Sequence, residues 1–284
     1  MPVDLHVHTT ASDGTFQPRE AAACAHDAGL DAIAITDHDT VQGIAEAREA
    51  GAKFGLQVVA GVELGCDLRR RELHILGYLF RQDDPRLVAK LGEMARDRTS
   101  RAREIVRRLQ KLGVPLPWED VAALAAEGTV GRLHIARALL AGGWVGHQHE
   151  AFAKYLDKDK PAYVPRLSLP PGEAIALIHR SGGVAVLAHP KLIGDDKVIP
   201  EVAAAGLDGL EVYHTRHSWH DVAKYKKMAR ELGLLFTGGS DCHGPAGKGE
   251  VLLGKILAPA ECLIALQERA KEIQATENRR VTAE

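Results

Sequence analysis

The chain has 284 residues, 45% of them hydrophobic and 26% charged, enough apolar material for a large folded core, so disordered and fibrous architectures are excluded. Thirty-six Lys and Arg against 38 Asp and Glu leave a formal net charge of −2, which excludes a globally basic nucleic-acid binder. There is no run of 18 apolar residues and no basic-then-apolar leader, so a cytoplasmic protein without membrane contact is expected.

In chain order, short apolar runs alternate with Ala-rich helical segments up to about residue 80, the pattern of βα units. Strands are predicted at Val3–His6, Ala32–Thr36, Gln57–Cys66 and Leu73–Tyr78. Helices are predicted from Pro18 to Gly29 and from Val41 to Gly55, with Pro18 in a first turn and the two glycines as C-terminal stops. The middle differs: a long charged helix from Pro85 to Leu112 is followed by shorter helices near Trp118–Glu127 and Leu133–Ala141, which reads as a helical insertion. Between Arg86 and Lys111 stand nine Lys or Arg against three Asp or Glu; most of these charges are expected to form a solvated helix face. The alternation resumes after residue 166, with strands at Gly183–Ala188, Gly209–Val212 and Leu235–Gly238, and helices over Pro171–Arg180, Pro200–Ala205 and Ser218–Leu232. The tail after Thr276 is expected to fray. The domain reading is therefore barrel 1–82, helical insertion 83–165 and barrel 166–284.

Histidine carries the chemistry. His6 and His8 stand two apart on an extended run and face the same side, and Asp13 follows in a Ser-Asp-Gly turn that can fold back toward them. Five further apolar runs deliver the same donor types: AIAITDHDT brings His38 between Asp37 and Asp39, GVELG brings Glu63, ELHILGY brings His74, and VAVLAHP brings His189. The last run, FTGGSDCHG, brings Asp241 and His243. Strand ends far apart in sequence but alike in donor type point to one shared site at the C-terminal mouth of a barrel. Six histidines and three carboxylates without cysteine suit Mn²⁺, Fe²⁺ or Zn²⁺, and nine ligands are too many for one ion, so a cluster of two or three is expected. The cysteines Cys24, Cys66, Cys242 and Cys262 show no paired spacing and read as packing residues. No G-x-S-x-G, P-loop or dinucleotide fingerprint occurs.

HVHTTASDG, ITDHDT, LAHP and GSDCHG resemble the motifs of the PHP family, the polymerase and histidinol phosphatase phosphoesterases. The resemblance covers about residues 1–80 and 166–260 and implies an α/β fold, a distorted (β/α)7 barrel carrying the helical insertion as a substrate lid. It further implies three divalent ions, Mn²⁺ foremost with Fe²⁺ or Zn²⁺ as alternatives. His6, His8, Glu63 and Asp241 would hold the first, Glu63, His74 and His189 the second, and Asp13, His38 and His243 the third. A hydroxide held at the first two ions by Glu63, Asp241, His6 and His8 would attack phosphorus.

GRLHIARAL at 131–139, KPAYVP at 160–165 and YHTRHS at 213–218 resemble the branch of the family that hydrolyses nucleoside 3′,5′-bisphosphates and whose relatives trim short RNA from the 5′ end. On that resemblance the enzyme is a metal-dependent phosphomonoesterase that removes the 3′-phosphate. Arg132, His134, Lys191, His214 and Arg216 would bind substrate, and His134 or His214 would protonate the leaving oxygen. Trp144 and Trp219 are open to base-stacking or packing roles, and His217 and His220 read as surface histidines. The alternatives are a 5′→3′ exonuclease on short RNA, a histidinol-phosphate-type phosphatase and, from a different class, a non-catalytic metal-binding module. A small-molecule nucleotide is the expected partner, short RNA the alternative, and no protein partner is predicted.

Overall fold

The computed structural model describes residues 2–69, 71–125, 128–167, 169–245 and 251–281. In its first part, strands β1 (Pro2–Val7), β2 (Ala32–Ile35), β3 (Gln57–Leu68) and β4 (Arg71–Tyr78) are interleaved with helices α1 (Pro18–Asp27) and α2 (Gly43–Phe54). Pro18 occupies the first turn of α1, and Gly55 closes α2 at φ 71°, a left-handed conformation in which a Cβ would be strained.

Then come α3 (Pro85–Lys111), α4 (Trp118–Ala125), α5 (Arg132–Ala141) and α6 (Gln148–Ala151), which runs into a single π-helical turn at Phe152–Leu156. Asp84 starts α3 by accepting from the Arg86 and Leu87 N–H groups, and Pro85 fits the first turn, where no N–H partner is needed. The third part holds α7 (Pro171–Arg180), β5 (Val184–Leu187), α8 (Pro190–Ile193), α9 (Val198–Ala204), β6 (Gly209–His214), α10 (Trp219–Glu231), β7 (Leu235–Gly239), β8 (Ala258–Pro259) and α11 (Ala260–Val281).

The strands form one sheet in the order β7-β6-β5-β4-β3-β2-β1-β8. It is rolled into a nearly closed barrel, because the end of β1 returns to the end of β7: Val7 bridges Cys242 and the His8 N–H donates to the Cys242 carbonyl at 2.9 Å. A Cβ on Gly239 would overlap the His6 backbone nitrogen, so glycine is what lets the two strands meet. Cys242 is fully buried in the core beside this seam.

The expected βα alternation fails at one place. β3 and β4 are an antiparallel hairpin, pairing Gly61 with Tyr78 through Leu68 with Arg71, and β5 is antiparallel to β4. The apolar/polar alternation of a strand does not encode its direction, so the sequence reads β4 as one more barrel strand. Two more expectations fail at the C-terminus. No helix was expected where α11 runs, and the tail beyond Thr276 does not fray up to Val281: Glu277 is buried and pairs with Arg280 at 2.7 Å.

The apolar material divides. Leu87, Leu91 and Met94, spaced by four and three on one face of α3, join the barrel core. Ala102, Ile105, Val106 and Leu109, further along the same helix, join a separate core built with α4, α5 and the π turn. One rigid helix therefore plants the helical segment at the barrel mouth. Each fully buried Leu or Ile contributes about 1.5–3 kcal/mol, so α3 is held at both ends by several kcal/mol of burial. Among the described residues no helix is long and apolar enough to cross a membrane.

Candidate metal centre and adjoining cavities

His6 lies in β1 and His8 one pleat beyond, both fully buried and on one face. His8 Nε2 stands 3.1 Å from Glu63 Oε2 and 3.3 Å from Asp241 Oδ1; His6 Nε2 stands 3.4 Å from each of the same oxygens. Glu63 turns its other oxygen to His74 Nδ1 at 2.6 Å and His189 Nε2 at 3.0 Å, while Oε2 also lies 3.2 Å from His38 Nδ1. The third group gathers on Asp13, whose oxygens are 3.3 Å from His243 Nε2 and 3.9 Å from His38 Nε2 and His8 Nδ1. Within each of the sets His6/His8/Glu63/Asp241, His38/Glu63/His74 and His8/Asp13/His38/His243, the donor atoms lie within 4.8 Å of one another.

His74 comes from the first half of β4 rather than from a strand's carboxyl end. Because β4 runs antiparallel, that half lies beside Gly65 of β3, at the same mouth. Asp39, His189 and Asp241 all have positive φ, at 55°, 26° and 54°. Such strain in non-glycine residues persists where the surroundings over-determine the conformation, and here it marks three strand ends of one site. Asp37 builds the turn that presents Asp13: it accepts from the Thr9 N–H and Thr9 hydroxyl at 2.7 Å and from the Ser12 hydroxyl at 2.5 Å.

These donors fit divalent cations. Both ring nitrogens of His8, Nδ1 of His38, Nδ1 of His189 and Nε2 of His214 are buried without a hydrogen-bond partner, a costly state for imidazoles unless they bind something else. The electrostatics agree. Burial alone disfavours charge on His8, yet Asp241 and Glu63 push it up to about 10, and against the same opposition Glu63 and Glu72 push His74 up to about 9. Burial would likewise raise the carboxyls of Asp13, Glu63 and Asp241, but the facing imidazoles hold all three well below their ordinary values. His38 goes the other way, driven down to about 3 by burial, so its ring is a neutral donor. Three buried carboxylates thus call for positive charge, which bound cations supply.

Around this centre stand supports that the sequence reading passed over. Glu211 of β6 is fully buried; its Oε1 faces His6 Nδ1 at 2.9 Å and its Oε2 accepts from the His189 N–H at 2.6 Å. Arg98 of α3 donates through Nε and Nη2 to Asp39 Oδ2 at 3.0 and 2.6 Å, tying the inserted helix to the barrel. A lone carboxylate inside the apolar run GLEVYH was the available signal for Glu211. Arg98 and Arg101, three apart on a basic helix, carried no signal that separated them from a solvated face.

The substrate residues expected from sequence divide. Arg132, in the first turn of α5, reaches the mouth and donates from Nη2 to both oxygens of Glu72 at 3.1 Å. His134 is buried, with its Nδ1 accepting from the Gly131 N–H at 3.0 Å as a helix cap, and burial takes it down to about 4. His214 is buried with Nε2 at 3.5 Å from Asp241 Oδ2. Lys191 is turned to Asp221 at 2.6 Å, and Arg216 is exposed and meets His214 through its backbone N–H. Trp219 is exposed and stacked on His220, Trp144 is exposed beside Gly142, and His217 is not a surface residue: it is partly buried, its Nδ1 2.8 Å from the Val212 carbonyl.

Two cavities open on the centre. One of about 300 Å³ is lined by His38, Glu63, His74, His189, Asp241 and His243 together with Glu72 and Arg132. A second, of about 190 Å³, shares His38, Glu72, His74 and Arg132 with the first and is lined further by Asp13, Arg98, Arg101, Phe152 and Arg166.

The profile of the PHP domain family matches residues 4–100. A 5′-3′ exoribonuclease of Haemophilus influenzae is 36% identical over 271 residues, 94% of this chain and 98% of that protein. A 3′,5′-nucleoside bisphosphate phosphatase of Chromobacterium violaceum is 34% identical over 260 residues, covering 87% and 89%. A crystal structure from Bifidobacterium adolescentis, assigned as a metal-dependent phosphoesterase, superposes with a TM-score of 0.87 at 32% identity, over 95% of this chain and 98% of that one. The fold and the clustered donors are those of an enzyme, a metal-dependent phosphoesterase. The chain belongs to the PHP family.

Proposed function

We propose that this enzyme removes the 3′-phosphate of nucleoside 3′,5′-bisphosphates, converting adenosine 3′,5′-bisphosphate, for example, to AMP and phosphate in the cytoplasm. The observation that carries the reading is a cluster of eight grouped metal-type donors, joined by His189 at 3.0 Å from Glu63, opening into a cavity lined by four arginines, room and charge for an anionic substrate larger than one phosphate. The relative of known name in Chromobacterium violaceum supports it. Three divalent ions, manganese foremost, would be held by His6, His8, Glu63 and Asp241, by Glu63, His74 and His189, and by Asp13, His38 and His243. Bound there, such ions supply charge neutralisation at phosphorus and water that is nucleophilic at neutral pH.

The chain's own residues position this chemistry. Glu63 spans two donor sets with its two oxygens, and Glu211 fixes the ring of His6. Arg132 stands at the passage between the cavities, where it can meet a phosphate oxygen. Both histidines considered for protonating the leaving oxygen accept a backbone N–H at Nδ1, and His214 turns its Nε2 toward Asp241 Oδ2 at 3.5 Å, which favours His214. The helical segment 83–165 acts as the lid that carries Arg98, Arg101 and Arg132.

A second reading, 5′→3′ trimming of short RNA, is favoured by the Haemophilus influenzae relative. Phosphate and nucleotide release from adenosine 3′,5′-bisphosphate, histidinol phosphate and a short 5′-phosphorylated RNA separates these readings. Turnover of the bisphosphate well above the other two is expected. Preference for the RNA moves the assignment to the exonuclease, and preference for histidinol phosphate overturns both.

A further inference from the structure

The two most exposed of the large apolar side chains among the described residues, Trp219 at 73% and Leu192 at 55%, belong to one rim of the barrel mouth. Leu192 lines the larger cavity together with His189 and Ile193. Trp219 opens α10, and the ion pair from Lys191 to Asp221 at 2.6 Å ties that helix start to the segment carrying Leu192. Asp221 also accepts from the Ser218 N–H and hydroxyl, at 2.8 and 2.6 Å, a capping box that fixes the first turn. The indole is stacked on the His220 ring, with centroids 3.3 Å apart. An ordered aromatic plane therefore faces water beside the metal donors.

Charge around this plane is positive. Residues 214–231 hold five Lys or Arg against two Asp or Glu. Arg216, three residues before Trp219, is exposed, and among the described residues no carboxylate pairs with its guanidinium. Neither Arg216, Trp219 nor His220 lines either cavity, so this surface lies outside the space open to a mononucleotide. A lone flat indole among cations suits the π face of a base on a phosphate backbone better than the apolar face of a protein helix.

We infer that Trp219, backed by His220, is a stacking platform for one base of a single-stranded RNA, a base beyond the nucleotide held at the metal donors. Arg216 supplies charge for the backbone that leads to it. Every base has a π face, so the platform holds RNA without reading its sequence. The helix cap and the His220 ring order the indole before the ligand arrives, so little rotamer freedom is lost on stacking. The inference rests on the short-RNA reading for its ligand, and measuring binding apart from cleavage keeps the two separate.

Binding of 5′-phosphorylated pentaadenylate to the full chain is measured by calorimetry, with chelator present so that nothing is cut. Trp219→Ala should weaken it roughly 5- to 150-fold, the loss expected for one stacked base, and Trp219→Phe should retain most of it. With Mn²⁺ restored, kcat/KM on the same RNA should fall in the Ala variant, chiefly through KM, while kcat/KM on adenosine 3′,5′-bisphosphate stays at the wild-type value. Unchanged RNA affinity in the Ala variant would refute the platform, and so would a wild type that binds the pentanucleotide no better than AMP. Equal losses on RNA and bisphosphate would place the indole at the base of the mononucleotide itself and overturn the inference. If RNA binding ignores Trp219 while self-association in sedimentation depends on it, the patch belongs to a second copy of the chain and the inference falls. If the wild type binds the RNA through Trp219 without hydrolysing it, the short-RNA reading fails and the platform stands.

Discussion

Replacing Glu211 with glutamine tests how far the metal centre depends on residues behind its ligands. The carboxylate is fully buried and takes two hydrogen bonds, one oxygen facing His6 Nδ1 at 2.9 Å and the other accepting from the His189 N–H at 2.6 Å. Both partners are donors, and a glutamine offers one acceptor oxygen. Whichever way the amide turns, one donor meets an NH₂ group. Leaving a buried donor unmet costs about 1–3 kcal/mol. The bond to His6 also fixes its tautomer, keeping the proton on Nδ1 and the lone pair of Nε2 aimed at Glu63 and Asp241. Loss of such a partner typically weakens metal affinity or activity roughly 10- to 100-fold, about 1.4–2.7 kcal/mol, in line with one unmet donor. The assay is competition between protein and a fluorescent chelator for Mn²⁺, with phosphate release followed at each free-metal concentration and circular dichroism confirming an unchanged fold. The variant should need roughly ten times more free Mn²⁺ or above for half-maximal rate. Wild-type metal affinity in a folded Glu211→Gln protein would refute the argument.

Arg98→Met should destabilise the chain by about 3 kcal/mol, the lower end for breaking a buried ion pair, because Arg98 keeps some solvent contact while Asp39 is left buried and unpaired. Chemical denaturation of this variant, of Asp39→Asn and of the double variant measures the coupling, and a coupling energy near zero would show that α3 is held to the barrel by apolar burial alone. Away from the metal centre, Asp208 accepts from the Ala185 N–H and from Arg269 Nε at 2.8 Å, and faces His179 Nε2 at 2.7 Å. Burial alone would raise its carboxyl, but His179, the Ala185 N–H and Arg269 hold it below its ordinary value near 3.8. A carboxyl depressed in the folded state stabilises above its unfolded value and loses that contribution as pH falls through the folded one. Asp208→Asn should therefore melt lower than the wild type at pH 7, with the gap closing below pH of about 4. A gap independent of pH would assign the loss to packing.

The donor set was legible because each motif is local. His6 and His8 share a face by the period of an extended chain, and Asp241 and His243 follow one strand within four residues of its end. The strand positions followed from apolar runs, but the direction of β4 did not, since hairpin and crossover strands share one alternation. Helix α11 escaped notice because its mixed face, with Cys262, Leu266, Ala270 and Ile273 buried beneath charged neighbours, is weakly amphipathic. Arg98, Arg101, Arg166 and Glu72 were illegible for a different reason. Their meaning lies in pairings across 59 to 100 residues of sequence, and a basic helix reads the same whether its arginines face water or a cavity.

The central claim is that this fold hydrolyses a nucleoside bisphosphate through ions held by the nine donors. Protein stripped with chelator is titrated with Mn²⁺ while phosphate release from adenosine 3′,5′-bisphosphate and bound metal per chain are followed together. The account predicts no turnover in the stripped protein, and a rate that climbs as the sites fill and levels off at three ions per chain. Full turnover after stripping, or none in the fully loaded protein, would contradict it.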